Sequence, residues 1–406
     1  MNSAFLSFLL LLFCGTFCSA MIVPFMGYFL VQGLGYEPWI ISVYSVLAVC
    51  LTLLANRQFA RRIDNGARVF PLVGLAALGY VIATSALSLA PALWTVLSFG
   101  VIGFGVSSSA ISTMFSLGGA LGKRHGIERS RSNAYMRATT SAAWMVGPAV
   151  TFLIADQLEV ETVFVAALGI SVVWVSLWWW SLPRDITAAA KAAPDDASAA
   201  SATVDAGADI AATAGSEPEA TSAGGLWFAA GFVFCLSLAH SLTFTSLPLF
   251  FVQEVGLPGF APGVAFSVKT LVEVVVIFTT PMIIARFGMR RALLATTLLA
   301  VVAIQVLASV QSLPQMLAGA ALEGLYYGFF ASLGISYVQS FARDRPARAT
   351  AIYWNTVMVS GLLAGPTVGF IAQLYDFHTV VQLASIVALC AVAVLLAGRQ
   401  PPLSAE

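Results

Sequence analysis

Apolar runs of about 20 residues or more recur along the whole chain, separated by short polar turns. Six precede one long polar stretch, at about 4–33, 38–56, 69–89, 92–118, 132–155 and 162–182. Six follow it, at about 226–252, 263–285, 291–311, 315–340, 349–373 and 378–397. Runs of this length with so few charges predict transmembrane helices, because a helix satisfies its own backbone polar groups in lipid. The two sets also share sequence. Tyr28–Gly35 reads YFLVQGLG, and Leu249–Gly256, 221 residues later, reads LFFVQEVG. Tyr135, Gly147-Pro148 and Phe152 return 218 residues later as Tyr353, Gly365-Pro366 and Phe370. Two nearly equal offsets predict one duplicated unit. The expected fold is an all-α membrane protein of twelve transmembrane helices in two pseudo-symmetric six-helix halves, 1–182 and 225–398.

The stretch between the halves, 183–224, is rich in Ala, Ser, Thr and Asp and lacks apolar periodicity. It has too little apolar surface to offset the entropy of ordering, which predicts a disordered cytosolic linker. Residues 399–406 form a short polar tail. Composition agrees: 59% of residues are hydrophobic and 9% charged, against about 25% charged in soluble domains. The five cysteines, Cys14, Cys18, Cys50, Cys235 and Cys390, lie in apolar runs without metal-ligand spacing and are expected to be free thiols. The apolar N-terminus lacks a basic flank and continues past Ala20, so it reads as a first membrane helix rather than a cleaved leader.

Charge sets the orientation. All but two of the 19 basic residues fall in alternate loops, the linker and the tail. Arg57, Arg61, Arg62 and Arg68 follow the second span, and Lys123, Arg124, Arg129 and Arg131 follow the fourth. Arg286, Arg290 and Arg291 follow the eighth, and Arg343, Arg345 and Arg348 follow the tenth. The opposite loops carry Glu37, Glu159, Glu161, Glu254 and Asp376 and no basic residue. The positive-inside rule then places both termini in the cytosol.

Arg137 and Lys269 are the two exceptions, and they sit inside spans with a few other polar groups. A charge within lipid costs about 2.5–3.5 kcal/mol on insertion scales, so each is a candidate for function. Glu273 lies near the middle of the eighth span, with Lys269 one turn before it. At this spacing they could form a mutual salt bridge. Equally, Glu273 could be a proton-coupling carboxylate that responds to the approach of Lys269. Arg137, Ser141, Trp144 and Pro148 fall on one helical face. That face offers a cation, a hydroxyl and an indole, which suits a sugar or polyol, although Arg137 could instead snorkel to the cytosolic surface. The duplicated position to Arg137 is Asn355. Glu323, with Tyr327 one turn on, could line the same site or pair with another helix. His240 is either a packing residue or a participant in a proton step. Gln32 and Gln253 occupy equivalent outer helix ends, and Ser107, Ser108, Ser109 and Ser112 read as small residues for close packing. Pro24, Gly147-Pro148 and Gly365-Pro366 are candidate conformational positions. So are the loop residues Asp64, Gly66 and Arg68 and their counterparts Gly288, Arg290 and Arg291, whose basic side chains can meet helix C-termini. The sequence has no phosphate-binding loop, metal-ligand cluster or paired nucleophile and base, so neither an enzyme nor a cofactor is expected.

At these residues the chain resembles the major facilitator superfamily, and in particular its bacterial sugar efflux transporters. The two Gly-Arg loops resemble the loop after the second and eighth helices of the superfamily. Met136-Arg137-Ala138 with Ser141–Pro148 resembles the fifth-helix pattern of the sugar efflux family. Glu273 with Ala285–Arg291 resembles its eighth helix, and Leu247–Phe250 with Val255–Pro258 its seventh. The chain departs from the family at Ser246, where an acidic residue can stand, and at Ile22, where a Gln can stand near the first proline. The resemblance implies a monomeric, multi-pass protein of the bacterial inner membrane. It also implies proton-driven export of sugars or sugar-like glycosides by alternating access, with no nucleic-acid partner. Export of drugs or other small amphiphiles on the same fold is the alternative.

Overall fold

The computed structural model describes residues 3–124, 127, 129–185, 187, 223–342 and 346–398. Eleven helices among the described residues are long and apolar enough to cross a membrane. They are α1 (Ala4–Gly33), α2 (Trp39–Asp64), α3 (Val69–Leu89), α4 (Leu93–Gly118), α5 (Arg131–Gln157), α6 (Thr162–Ser181) and α7 (Gly224–Glu254), then α10 (Met289–Ala308), α11 (Leu313–Ser340), α12 (Arg348–Leu374) and α13 (Phe377–Ala397). Between α7 and α10 lie two shorter helices, α8 (Ala261–Ile277) and α9 (Thr280–Phe287). The expected eighth span is therefore broken. A proline stands at the start of α9, where its missing N–H needs no partner, and the Thr279 hydroxyl turns back to the Val276 carbonyl at 2.8 Å. The second span runs further than expected, through Arg57, Arg61 and Arg62 to Asp64, so those arginines belong to a helix rather than a loop. The expected linker lies mostly outside the described residues.

The chain clusters into two compact units, Met1–Ala208 with Pro258–Ser267, and Asp209–Leu257 with Val268–Glu406. In the first, Phe25 packs edge-on against Phe152 and Phe164, and Phe29 against Phe164. Tyr80 donates its hydroxyl to the Cys18 carbonyl at 2.8 Å. A Cβ on Gly147 would lie 2.7 Å from Ala20 Cβ, so this glycine lets α5 approach α1. Within the same unit, Gly263 comes up against the Pro148 carbonyl and Ser267 donates to the Met145 carbonyl. In the second unit Phe232 packs edge-on against Phe330 and Tyr337. Several buried hydroxyls are met within their own helix. Thr84, Thr113 and Thr297 each donate to the carbonyl four residues back. All five cysteines are free.

The duplication is visible at the level of single hydrogen bonds. α1 and α7 both end in a widened π turn, Phe29–Gly33 and Phe250–Glu254. In the first, Leu34 N–H donates to the Phe29 carbonyl and Tyr36 N–H to the Leu30 carbonyl. In the second, Val255 donates to Phe250 and Leu257 to Phe251. Each bond recurs 221 positions later in the sequence. Gly35 (φ 69°) and Gly256 (φ 74°) then reverse the chain in the left-handed region that glycine enters without penalty. Gly66 (φ 79°) and Gly288 (φ 77°) form a second such pair, in the two Gly-Arg loops.

Candidate functional site

Several of the polar residues singled out from the sequence meet in the second unit, deep among apolar spans. α11 carries the sequence Gly324-Leu325-Tyr326-Tyr327-Gly328. Its two glycines let α8 approach backbone to backbone. A Cβ on Gly324 would overlap the Lys269 carbonyl, and one on Gly328 would lie 2.9 Å from the Glu273 carbonyl oxygen. Lys269 is thereby held against Glu323, and His240 joins them from α7. Lys269 is 6% exposed, Glu323 3% and His240 8%, so three ionisable side chains are buried together.

Lys269 Nζ lies 3.7 Å from Glu323 Oε1 and 3.2 Å from His240 Nε2. A protonated lysine can only donate, so Nε2 is the accepting nitrogen and the imidazole hydrogen sits on Nδ1. Nδ1 faces Tyr326 Oη at 3.2 Å and Glu323 Oε1 at 3.4 Å. Tyr327 stacks on the imidazole with ring centroids 3.8 Å apart. The lysine ammonium also lies 4.7 Å from the Tyr327 ring centre and 5.4 Å from that of Phe244, where the aromatic faces favour a cation. Glu323 Oε1 is buried without a formed hydrogen bond, despite the two nearby nitrogens. A buried pair of this kind balances desolvation against attraction, while removing one partner alone costs about 3–5 kcal/mol.

The pairing differs from the mutual Lys269–Glu273 bridge that the one-turn spacing allowed. Lys269 takes Glu323 as its ion-pair partner. Glu273 is half-buried one turn further along α8 and makes no ion pair or hydrogen bond among the described residues. The reason is geometric: the glycines of α11 bring Glu323 directly to the lysine. Tyr326 was not singled out from the sequence, nor was the glycine pair, although the Gly-x-x-x-Gly spacing was there to be read.

The other candidates are distributed. On α5, Arg137 is exposed, while Ser141 and Trp144 are half-buried along the same helix. Asn355 is exposed on α12. Pro24 is buried at the turn that interrupts α1 between Ile22 and Met26. Pro148 and Pro366 lie inside continuous helices, with Gly147 and Gly365 buried beside them. Asp64 closes α2, and Gly66 and Arg68 follow it, exposed. Arg290, two residues after Gly288 and beside Arg291, donates to the Leu395 and Leu396 carbonyls at 3.4 and 3.1 Å, capping the C-terminal end of α13. A carboxylate outside the candidate set serves the other end of that helix. Glu254 accepts from the Phe377 and His378 N–H groups at 2.6 and 2.9 Å.

Known proteins place the chain in context. The family model described as Major Facilitator Superfamily matches residues 226–406. A Deinococcus radiodurans protein provisionally named a sugar efflux transporter is 27% identical over 94% of each chain. Sugar efflux transporter B of Salmonella typhimurium is 24% identical, covering 92% of this chain and 90% of its own. The crystal structure of the nucleoside transporter NupG superposes with a TM-score of 0.75 at 12% identity, over 98% of this chain and 99% of that one, a likeness of fold alone.

Proposed function

We propose that this chain is a member of the major facilitator superfamily and exports sugars or sugar-like glycosides across the bacterial inner membrane in exchange for protons, by alternating access. What carries the proposal is the buried group of His240, Lys269 and Glu323, ringed by Tyr326 and Tyr327, inside otherwise apolar spans. Ionisable groups at such depth mark ion or substrate pathways. The names of the full-length relatives support the sugar class.

Arg137, Ser141 and Trp144 on α5, Asn355 on α12, and Glu323 with Tyr327 on α11 take the cargo. Their hydroxyl, amide and carboxylate groups match a polyol, and the indole offers an aromatic plane. Glu273 couples transport to the proton, with Lys269 and His240 beside it. Pro24, Gly147-Pro148, Gly365-Pro366 and the paired Gly-Arg loops serve the conformational change. The halves 1–182 and 225–398 work as a monomer joined by the cytosolic linker 183–224, with both termini and the tail 399–406 in the cytosol.

Proteoliposomes with an acidic interior and a panel of radiolabelled mono-, di- and alkyl glycosides outside test this. An exchanger accumulates at least one of them as protons leave, and a protonophore abolishes the accumulation. Glu273→Gln is expected to lose the gradient-driven accumulation. No response of any glycoside to the gradient would defeat the proposal.

A further inference from the structure

The charges buried around Lys269 do not balance. Lys269 supplies one positive charge, and Glu323 and Glu273 supply two negative ones. His240 cannot add a second positive charge cheaply, because its Nε2 already faces the lysine ammonium at 3.2 Å. The remaining titratable groups here, Tyr326 and Tyr327 of α11 and Tyr353 of α12, are phenols that stay neutral at ordinary pH. A net negative charge inside a membrane is costly, and the simplest neutralisation is one proton. Glu323 holds the lysine. Glu273, one turn further along the same helix, forms no ion pair or hydrogen bond among the described residues.

We infer that Lys269, Glu323 and Glu273 form one exchange site for a single proton, which resides on Glu273 while Lys269 pairs with Glu323. When the Glu273 O–H bond breaks, the proton passes to water and a second carboxylate stands four residues from the lysine. Lys269 is then shared between the two carboxylates. Glu323 Oε1, buried without a formed hydrogen bond, is released to accept from a cargo hydroxyl. Proton and cargo thus exclude one another at the lysine, which is the requirement for exchange. The inference deepens the proposed function and rests on its reading of a hydroxylated cargo.

Infrared titration of the purified full-length protein in detergent, without cargo, counts the carboxylic acids whose carbonyl band appears as pH falls through the neutral range. Wild type is expected to show one in this cluster. Glu273→Gln leaves the Lys269–Glu323 pair intact and should show none. Glu323→Gln should also show none, because Glu273 then becomes the counter-ion of Lys269. Lys269→Met should show two. Size-exclusion chromatography identifies any variant that fails to fold, and the two Gln variants suffice if Lys269→Met does. A band that persists in Glu323→Gln would mean Glu273 titrates independently and would overturn the inference, as would a wild type with no such band. A failed glycoside screen alongside the expected band pattern would remove the sugar reading and leave the exchange site standing.

Discussion

At Gly324 there is no room for even a methyl group, because the Lys269 carbonyl occupies the place where one would stand. The buried ion pair therefore depends on a residue that carries no charge. Gly324→Ala is expected to force α8 from α11 and lower stability by roughly 1–3 kcal/mol, the usual cost of overpacking. Gly361→Ala, at a position open to its surroundings, should melt no lower than wild type. Thermal unfolding in detergent compares the two, and equal midpoints would show that the close approach is dispensable. The sequence made Lys269, Glu323, His240 and Tyr327 conspicuous, since polar groups in lipid are few. It left the partner of Lys269 open, because helical spacing reports neighbours along one helix and is blind to those across the gap. Glu273 satisfied the one-turn rule, yet Glu323, 54 positions away in the sequence, forms the pair.

The first turn of α13 shows how an element is held at its end. Its early N–H groups have no partner within the helix. Glu254 accepts two of them, and Asp376 accepts a third from Thr379 at 2.6 Å. The Asp376 carboxyl is held below its ordinary range, chiefly by its bonding to Thr379. A lowered value means that its contribution is complete above the unfolded value of about 3.9 and is lost as pH falls through the folded one. Asp376→Ala should therefore cost about 1 kcal/mol at neutral pH, with the gap to wild type closing under acid. Glu254→Ala should speed hydrogen exchange at Phe377 and His378 while leaving the start of α12 as it was. Unchanged exchange there would deny Glu254 its anchoring part. Hydropathy outlined the elements well but missed both this clasp and the break between α8 and α9. An apolar count does not register a side chain capping a helix far away in sequence, and it runs straight through a short interruption.

For the molecule as a whole, the duplication was the feature most legible in the sequence, and it returns in the backbone as matched turns with matched hydrogen bonds. The polar stretch between the halves is expected to act as a spacer. Deleting Pro194–Glu219 should leave the glycoside flux of the vesicle assay unchanged, and lost flux with undiminished membrane insertion would give that stretch a role of its own. The closing turns of α1 and α7 carry one more consequence. Each is sealed by bonds reaching no more than six residues along the backbone. A nascent polypeptide can therefore close the first turn while the ribosome is still translating downstream codons, and the later copy closes on its own residues alone.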